Sequence, residues 1–461
     1  MNNKFNKKEI KIIDGEMYYY GFNLVDLAKK YGTPLKITFL DLIKDRINEL
    51  KSSFDSVIEK EGYKGKFIYL NANKANYGGL EIKEALEHAD GIETSSYLDL
   101  VLSSELINKY ANNKLLYSNG YKDDNYLKEI LKVNKSNIDY TCIIDSIDEY
   151  EFLKKHAKNL KIGLRVHLPA LYSEEGEVIK NDRFGLMNDE IDYILSDLKN
   201  NPNLILSTIH FHQRGMEFEK DKFLKNIHLA FENYYVKAAK LYDSVINFDM
   251  GGGTPLSAYR TYDYNEFASV LIKELKSLAS IYNVKEPNII SENGRYTVKD
   301  SVVNVYKVVA YKETDRDFND PKNTKKFYPW YILDASLLIA LPEMYALGEE
   351  ILIEPINNLN NEMVEARLSS ITCDCDDVYY EKDKGFIELP KLKGNDQYVG
   401  LLGTGSYQNS MNGKGGVHHC LLPEEKDLVI YTKNNKLKFL VRSELQSYDD
   451  IKKLMKLDIE K

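Results

Sequence analysis

Between residues 41 and 296, short apolar runs alternate with longer stretches whose apolar positions recur at helical spacing. The runs are Phe67–Asn73, Gly91–Thr94, Leu115–Ser118, Tyr140–Asp145, Lys161–His167, Leu204–Phe211, Val245–Met250 and Asn288–Ser291. Amphipathic segments such as Leu80–His88, Ile147–Ala157, Lys222–Leu241 and Tyr264–Ile281 lie between them. The runs are mostly apolar on both faces, as strands of a helix-covered parallel sheet must be. Eight strand–helix repeats in this length predict a (β/α)8 barrel over residues 41–296.

Beyond Arg295 the texture changes. Tyr296–Lys312, Glu350–Ile356, Met363–Arg367, Phe386–Leu389, Leu428–Tyr431 and Leu437–Val441 read as strands with short turns. Helical signal is sparse until Gln446–Leu457, so residues 297–461 are expected to form a second, β-rich domain. The first forty residues read as β structure followed by one helix, Leu24–Tyr31, and are expected to pack on that domain. The expected class is therefore an α/β barrel joined to an all-β domain.

At 461 residues the chain exceeds one ordinary core, in line with two domains. An apolar content of 43% with 29% charged residues fits a soluble protein. A net charge of −9 argues against nonspecific nucleic-acid binding and is compatible with small cationic substrates. No apolar run reaches the length of a membrane span, and the N-terminus lacks the apolar stretch of a secretory leader. Four cysteines are too few for a disulfide scaffold, and the expected location is cytoplasmic.

The candidate chemistry sits where the predicted strands end, which is where barrel active sites lie. Lys74 follows the first run; desolvation there would lower its pKa and make its amine a nucleophile toward aldehydes. Glu93 ends the second strand, Arg165 and His167 the fifth, and His212 the sixth. An imidazole at His212 could stack on a flat ring, whereas His210 reads as a buried histidine bonded to backbone. Gly251-Gly252-Gly253 follows the seventh strand, where its backbone N–H groups can approach an anion; alone, the triplet reads equally as an ordinary turn. Glu292-Asn293-Gly294-Arg295 follows the eighth. Arg295 can grip a phosphate by its fork and Glu292 can face a pyridinium nitrogen, although the pair taken alone reads as a surface salt bridge. In the β-rich region, Cys373-Asp374-Cys375-Asp376-Asp377 joins a thiol to carboxylates. The thiol could protonate a carbanion and the acids could hold a cationic tail. A metal site with His418, His419 and Cys420 is the competing reading, but the spacing matches no strong zinc pattern. Tyr407 could hydrogen-bond a phosphate, though it is one of 35 tyrosines.

In this order, the motifs resemble the fold-type III pyridoxal-phosphate decarboxylases, which include arginine, ornithine and diaminopimelate decarboxylases. The resemblance runs from Gly32-Thr33-Pro34 to about Pro423. It rests on Ile92–Ser96, His210-Phe211-His212, Gly251–Gly253, Ser291–Arg295, Leu341-Pro342-Glu343, Thr372–Asp377, Gly405–Gln408 and His419–Pro423. The closest likeness is to the biosynthetic arginine decarboxylase type without its long insertions. It implies an alanine-racemase-like barrel and pyridoxal 5'-phosphate held by Lys74 as a Schiff base. Glu93 and Arg165 would support it, His212 would stack on the ring, and Glu292 would meet the ring nitrogen. Gly251, Gly252, Gly253, Gly294, Arg295 and Tyr407 would bind the phosphate. Cys373 would be the proton donor, Asp374 and Asp376 would face the substrate's basic end, and Asp334 lies where the family sets substrate length. The family also implies a homodimer in which Cys373, Asp374 and Tyr407 complete the partner's site. One departure is Gln213-Arg214-Gly215, where the family usually has Gly-Ser after the stacking histidine.

The implied activity is decarboxylation of a basic L-amino acid, arginine to agmatine first, with lysine, ornithine or diaminopimelate as alternatives. Racemisation on the same barrel is disfavoured because a racemase needs a tyrosine base where Cys373 would act. A noncatalytic regulatory homologue is disfavoured by the intact Lys74, Glu292 and Cys373.

Overall fold

The computed structural model describes residues 7–111, 113–168, 183–212, 220–313, 328–379 and 385–457. The chain forms two compact units: residues 43–257 with 262–297, and residues 1–42 with 258–261 and 298–461.

The N-terminal strands β1 (Ile10–Ile13), β2 (Glu16–Tyr19) and β3 (Phe22–Asn23) form an antiparallel sheet. A helix over Leu24–Tyr31 follows, capped by Asn23, whose side chain accepts from Val25 N and Asp26 N. Strand β4 (Leu35–Phe39) then enters the large sheet of the same unit.

The other unit is a closed barrel of eight parallel strands. They are β5 (Phe67–Ala72), β6 (Gly91–Thr94), β7 (Leu115–Ser118), β8 (Asp139–Ile144), β9 (Leu160–Arg165), β10 (Leu204–His210), β11 (Asn247–Asp249) and β12 (Asn288–Asn293). Pairing of β12 with β5 closes the ring, with Glu292 opposite Leu70. Each run expected from the apolar pattern is a strand here. Closure removes both sheet edges and brings all eight C-terminal ends to one mouth. The interior is filled by Leu70, Tyr117, Ile143 and Ile290, all buried. The expected helix Lys222–Leu241 begins at Lys220 and widens into a π turn over Phe231–Tyr235 before continuing over Val236–Leu241. The extra residue in that turn buries Phe231 and Tyr235 together against Phe248 of β11, at ring-centroid separations of 5.5 and 5.7 Å.

The β-rich unit contains β13 (Val302–Lys312), β14 (Trp330–Leu333), β15 (Leu352–Pro355), β16 (Met363–Ser370), β17 (Val378–Tyr379), β18 (Ile387–Pro390), β19 (Tyr398–Leu402), β20 (Lys426–Lys433) and β21 (Lys436–Ser443). The expected strand Tyr296–Lys312 is shorter by six residues, because Arg295–Val298 forms a helical turn in which Thr297 Oγ1 donates to Asn293 O at 2.7 Å. Strands β14 (Trp-Tyr-Ile-Leu) and β19 (Tyr-Val-Gly-Leu-Leu) are apolar but were not among the expected strands. Gly400 of β19 sits close to its neighbour: a Cβ there would lie 2.7 Å from Ile356 Cγ2.

Two buried carboxyls shape this unit. Asp377 accepts from Ser336 Oγ at 2.6 Å, Ser370 Oγ at 2.5 Å, Thr372 Oγ1 at 2.8 Å and Leu338 N at 3.0 Å. Replacing it with alanine strands four donors, so Asp377→Ala is expected to cost about 2–3 kcal/mol, read as a lower denaturation midpoint. Glu425 accepts from Tyr306 Oη and Asn304 Nδ2. Burial outweighs those bonds and lifts its pKa from 4.5 to about 7. The native carboxyl therefore keeps its proton across a window in which the unfolded chain has lost it, and stability from this group falls as pH rises through that window. The melting temperature is expected to drop between pH 5 and pH 8 in the wild type and to flatten in Glu425→Gln; an equal slope in both would remove Glu425 as the cause.

Candidate active site

Lys74 does not extend β5; it sits in the single 3-10 turn Asn73–Ala75 that follows. Its Nζ donates to Glu93 Oε2 at 2.8 Å and Ser95 Oγ at 3.2 Å, and Ser95 Oγ donates to Glu93 Oε1 at 2.8 Å. The Lys74 side chain is 34% exposed and that of Glu93 fully buried. Lys74 thus meets a buried carboxylate at the barrel mouth. The amine faces a cleft of about 600 Å³, also lined by Asn119, Arg165, His210 and His212.

Glu292, on β12, is the charged centre of that mouth. Its Oε1 accepts from Asn119 Nδ2 at 2.7 Å and faces His210 Nε2 at 3.5 Å, and its carboxylate meets the side chain of Asp249. Asp249, the last residue of β11, accepts from Gly251 N at 2.9 Å. Burial, then the Glu292 charge, pushes the Asp249 carboxyl well above the usual carboxylate range. For Glu292, burial also acts upward, but His210, Lys74 and Asn119 outweigh it and hold the carboxyl below its usual range. Of two neighbouring buried acids, Asp249 therefore keeps a proton and Glu292 carries the charge. The Asp249 carboxyl hydrogen-bonds Glu292, so the pair brings one negative charge, not two, to the barrel mouth.

His212 lies two residues past β10, and its pKa is lowered to about 3 by burial, then by Arg165 and Lys74. The ring is thus neutral at physiological pH. Arg165 ends β9, donates to Asp145 Oδ2 at 3.1 Å and lies over the Phe184 ring at 4.4 Å. Asp145 is held through Glu149, which accepts from Asp145 N at 3.0 Å and pairs with the buried Lys122 at 3.0 Å.

The glycines fit by close approach. Gly251 has φ +65°, and a Cβ there would lie 2.9 Å from Phe211 O and 3.0 Å from His212 Cα. A Cβ on Gly294 would meet Ala75 Cβ at 2.9 Å, beside Lys74. Gly252 and Gly253 continue the same loop, and Arg295 is half-buried at the start of its helical turn. Gln213-Arg214-Gly215 lies outside the described residues.

The remaining candidates belong to the β-rich unit. Cys373 is exposed. Asp374 Oδ1 accepts from Asp376 N at 2.9 Å, and its Oδ2 faces His419 Nε2 at 3.3 Å. Tyr407 adopts φ +61°, a left-handed conformation unusual for a residue with a ring. Asp334 lines a pocket of the same unit, and its two oxygens accept from Thr33 Oγ1 at 2.5 Å and Lys307 N at 2.9 Å.

Sequence reasoning passed over Asn119, Asp145, Asp249 and Ser95. Each is a polar residue at or just past the C-terminal end of a barrel strand, the one signal that could have singled them out.

Residues 81–299 match the family model for the pyridoxal-binding domain of pyridoxal-dependent decarboxylases. A biosynthetic arginine decarboxylase from Prochlorococcus marinus (strain MIT 9515) is 28% identical over 312 residues, which covers 63% of this chain and 48% of that protein. Arginine decarboxylase 1B of Nicotiana tabacum is 24% identical, covering 61% of this chain and 41% of that protein. The chain thus spans about half the length of the curated relatives it matches. Among solved structures, the biosynthetic arginine decarboxylase of Campylobacter jejuni superimposes with a TM-score of 0.82 at 20% identity, covering 98% of this chain and 91% of that one. A diaminopimelate decarboxylase from M. jannaschii gives 0.77 at 20% identity, covering 98% of both chains. Barrel, site and matched domain agree: residues 81–299 match the pyridoxal-binding domain of pyridoxal-dependent decarboxylases, and the chain shares its fold with the solved arginine and diaminopimelate decarboxylases.

Proposed function

We propose that this protein is a pyridoxal 5'-phosphate-dependent decarboxylase of a basic L-amino acid, converting arginine to agmatine and carbon dioxide. The observation that carries the reading is the buried Glu292 carboxylate, held below its usual pKa range in the barrel mouth that also holds the Lys74 amine. The residues present fit the cofactor. Lys74 supplies the amine for attachment, His212 a neutral ring to cover one face, and Glu292 an anion to keep the pyridine nitrogen protonated. The Gly251–Gly253 loop, Gly294 and Arg295 supply the phosphate cup. When bound, the cofactor supplies the sink for the electron pair left by departing carbon dioxide.

The protein's own groups do the rest. Glu292 holds a proton at the ring nitrogen, and Asp249, itself protonated, adds no second charge beside it. The Lys122–Glu149–Asp145 chain orients Arg165. Cys373 donates a proton to the α-carbon, and Asp374 holds the basic end of the substrate, both acting within a homodimer. Sedimentation of active enzyme as a 53.2 kDa monomer would remove the dimer from this reading.

Arginine is preferred because relatives named arginine decarboxylase match 61–63% of the chain. Incubation with arginine, lysine, ornithine and diaminopimelate, with carbon dioxide and amine product measured separately, tests it. Agmatine from arginine is expected to dominate. Release from another of the four alone would reassign the substrate, and release from none would end the proposal.

A further inference from the structure

Cys142 is buried, whereas Cys373, Cys375 and Cys420 are exposed free thiols. Cys373 lies between β16 and β17, and Cys420 lies in the short turn His419–Leu421 of the same unit. Their Sγ atoms are 3.7 Å apart. The loop carrying Cys373 is anchored by the buried Asp377. The turn carrying Cys420 has two consecutive residues in the left-handed region, Cys420 at φ +53° and Leu421 at φ +52°. Such conformations cost energy for residues with a Cβ and persist only where the surroundings hold them.

His419 Nε2 stands 3.5 Å from Cys420 Sγ and 3.3 Å from Asp374 Oδ2. Because one nitrogen meets both groups, this is not a Cys–His–Asp relay, in which the acid would hold Nδ1. The hydrogen bond to Cys420 is the main cause that raises the Cys373 thiol above its usual pKa. A closed metal site fits less well. Among the described residues, the mutually adjacent donor groups of three or more are His210-Asp249-Glu292 and Asp374-Cys375-Asp376, and neither contains Cys373 or Cys420.

We propose that Cys373 and Cys420 form a redox-active dithiol that takes up an intramolecular disulfide from a low-molecular-weight disulfide such as oxidised glutathione. The consequence for turnover rests on the proton-donor role proposed for Cys373. The Cys420 thiolate attacks one sulfur of the oxidant, forming a mixed disulfide and expelling one thiolate. Cys373 then attacks the Cys420 sulfur and expels the second. The protein loses two electrons and two protons, and the oxidant gains them as two thiols. Cys373 no longer has a proton to give until a reductant restores it.

To test this, holoenzyme is incubated with oxidised glutathione, its free thiols are alkylated, and the digest is mapped by mass spectrometry. Decarboxylation is measured before and after dithiothreitol. A Cys373–Cys420 linked peptide is expected, with turnover reduced about a hundredfold or more and restored by the reductant. Reduced Cys420→Ser should keep wild-type turnover and resist the oxidant, and Cys375→Ser should respond as wild type does. Absence of the linked peptide from oxidised wild type would overturn the proposal, as would equal inactivation of Cys420→Ser. Should the protein decarboxylate nothing, the linked peptide would still test the dithiol, and the missing activity would count only against the proposed function. Should Cys420→Ser fail to fold, the wild-type peptide map decides.

Discussion

Replacing Lys74 with alanine is expected to abolish both covalent capture of the cofactor and turnover, with a loss of at least about 10⁴-fold in kcat. Two consequences need separating. The Lys74 ammonium pairs at 2.8 Å with a Glu93 carboxylate that has no exposed side-chain surface. Removing the cation leaves that carboxylate buried, a penalty of about 2 kcal/mol once the partial exposure of Lys74 is allowed for. Lys74→Arg separates stability from chemistry, because a guanidinium keeps the charge beside Glu93 but offers no amine of comparable nucleophilicity. The alanine variant should lose both melting temperature and activity, and the arginine variant only activity. Borohydride treatment of cofactor-loaded protein should fix the label on the Lys74 peptide in wild type and on neither variant. A label on another lysine, or turnover surviving in either variant, would remove the central assignment.

Glu292→Gln should produce the next largest loss, roughly 100- to 1000-fold in kcat, with KM changing much less. Glutamine can still accept from Asn119 through its oxygen, so the fold is expected to survive. Its amide nitrogen, however, replaces the other carboxylate oxygen and would face a protonated ring nitrogen donor to donor. The charge of Glu292 is also a cause of the raised Asp249 pKa. Its removal should lower that pKa, so ionised Asp249 would partly replace the lost anion near neutral pH. The variant's kcat should therefore rise with pH where the wild type's is flat. Cofactor absorbance retained alongside depressed, pH-dependent kcat is the expected signature. Wild-type kcat would exclude Glu292 from the chemistry.

Some of this site was open to reading along the chain. Lys74, Glu93, Arg165, His212 and Glu292 follow or end apolar runs, and in a parallel barrel every such end points to the same mouth. The protonation pattern was not open in that way. Asp249 and Glu292 are 43 positions apart and influence each other only because β11 and β12 pair. The contact of Lys74 with Glu93 was equally hidden, because Glu93 comes from the next strand. The bonds that Asp334 accepts from Thr33 and Lys307 likewise join distant segments.

What the amino-acid order determined by itself was periodicity: eight apolar runs at helix-separated intervals, a later β-rich stretch, and a series of family motifs. Burial of apolar faces is a local demand, so spacing alone discloses it. The tertiary structure alone decided which acids share a proton and which two thiols meet. Electrostatic and hydrogen-bonding effects act over a few ångströms of space, and the distance along the chain between the groups involved carries no information about them.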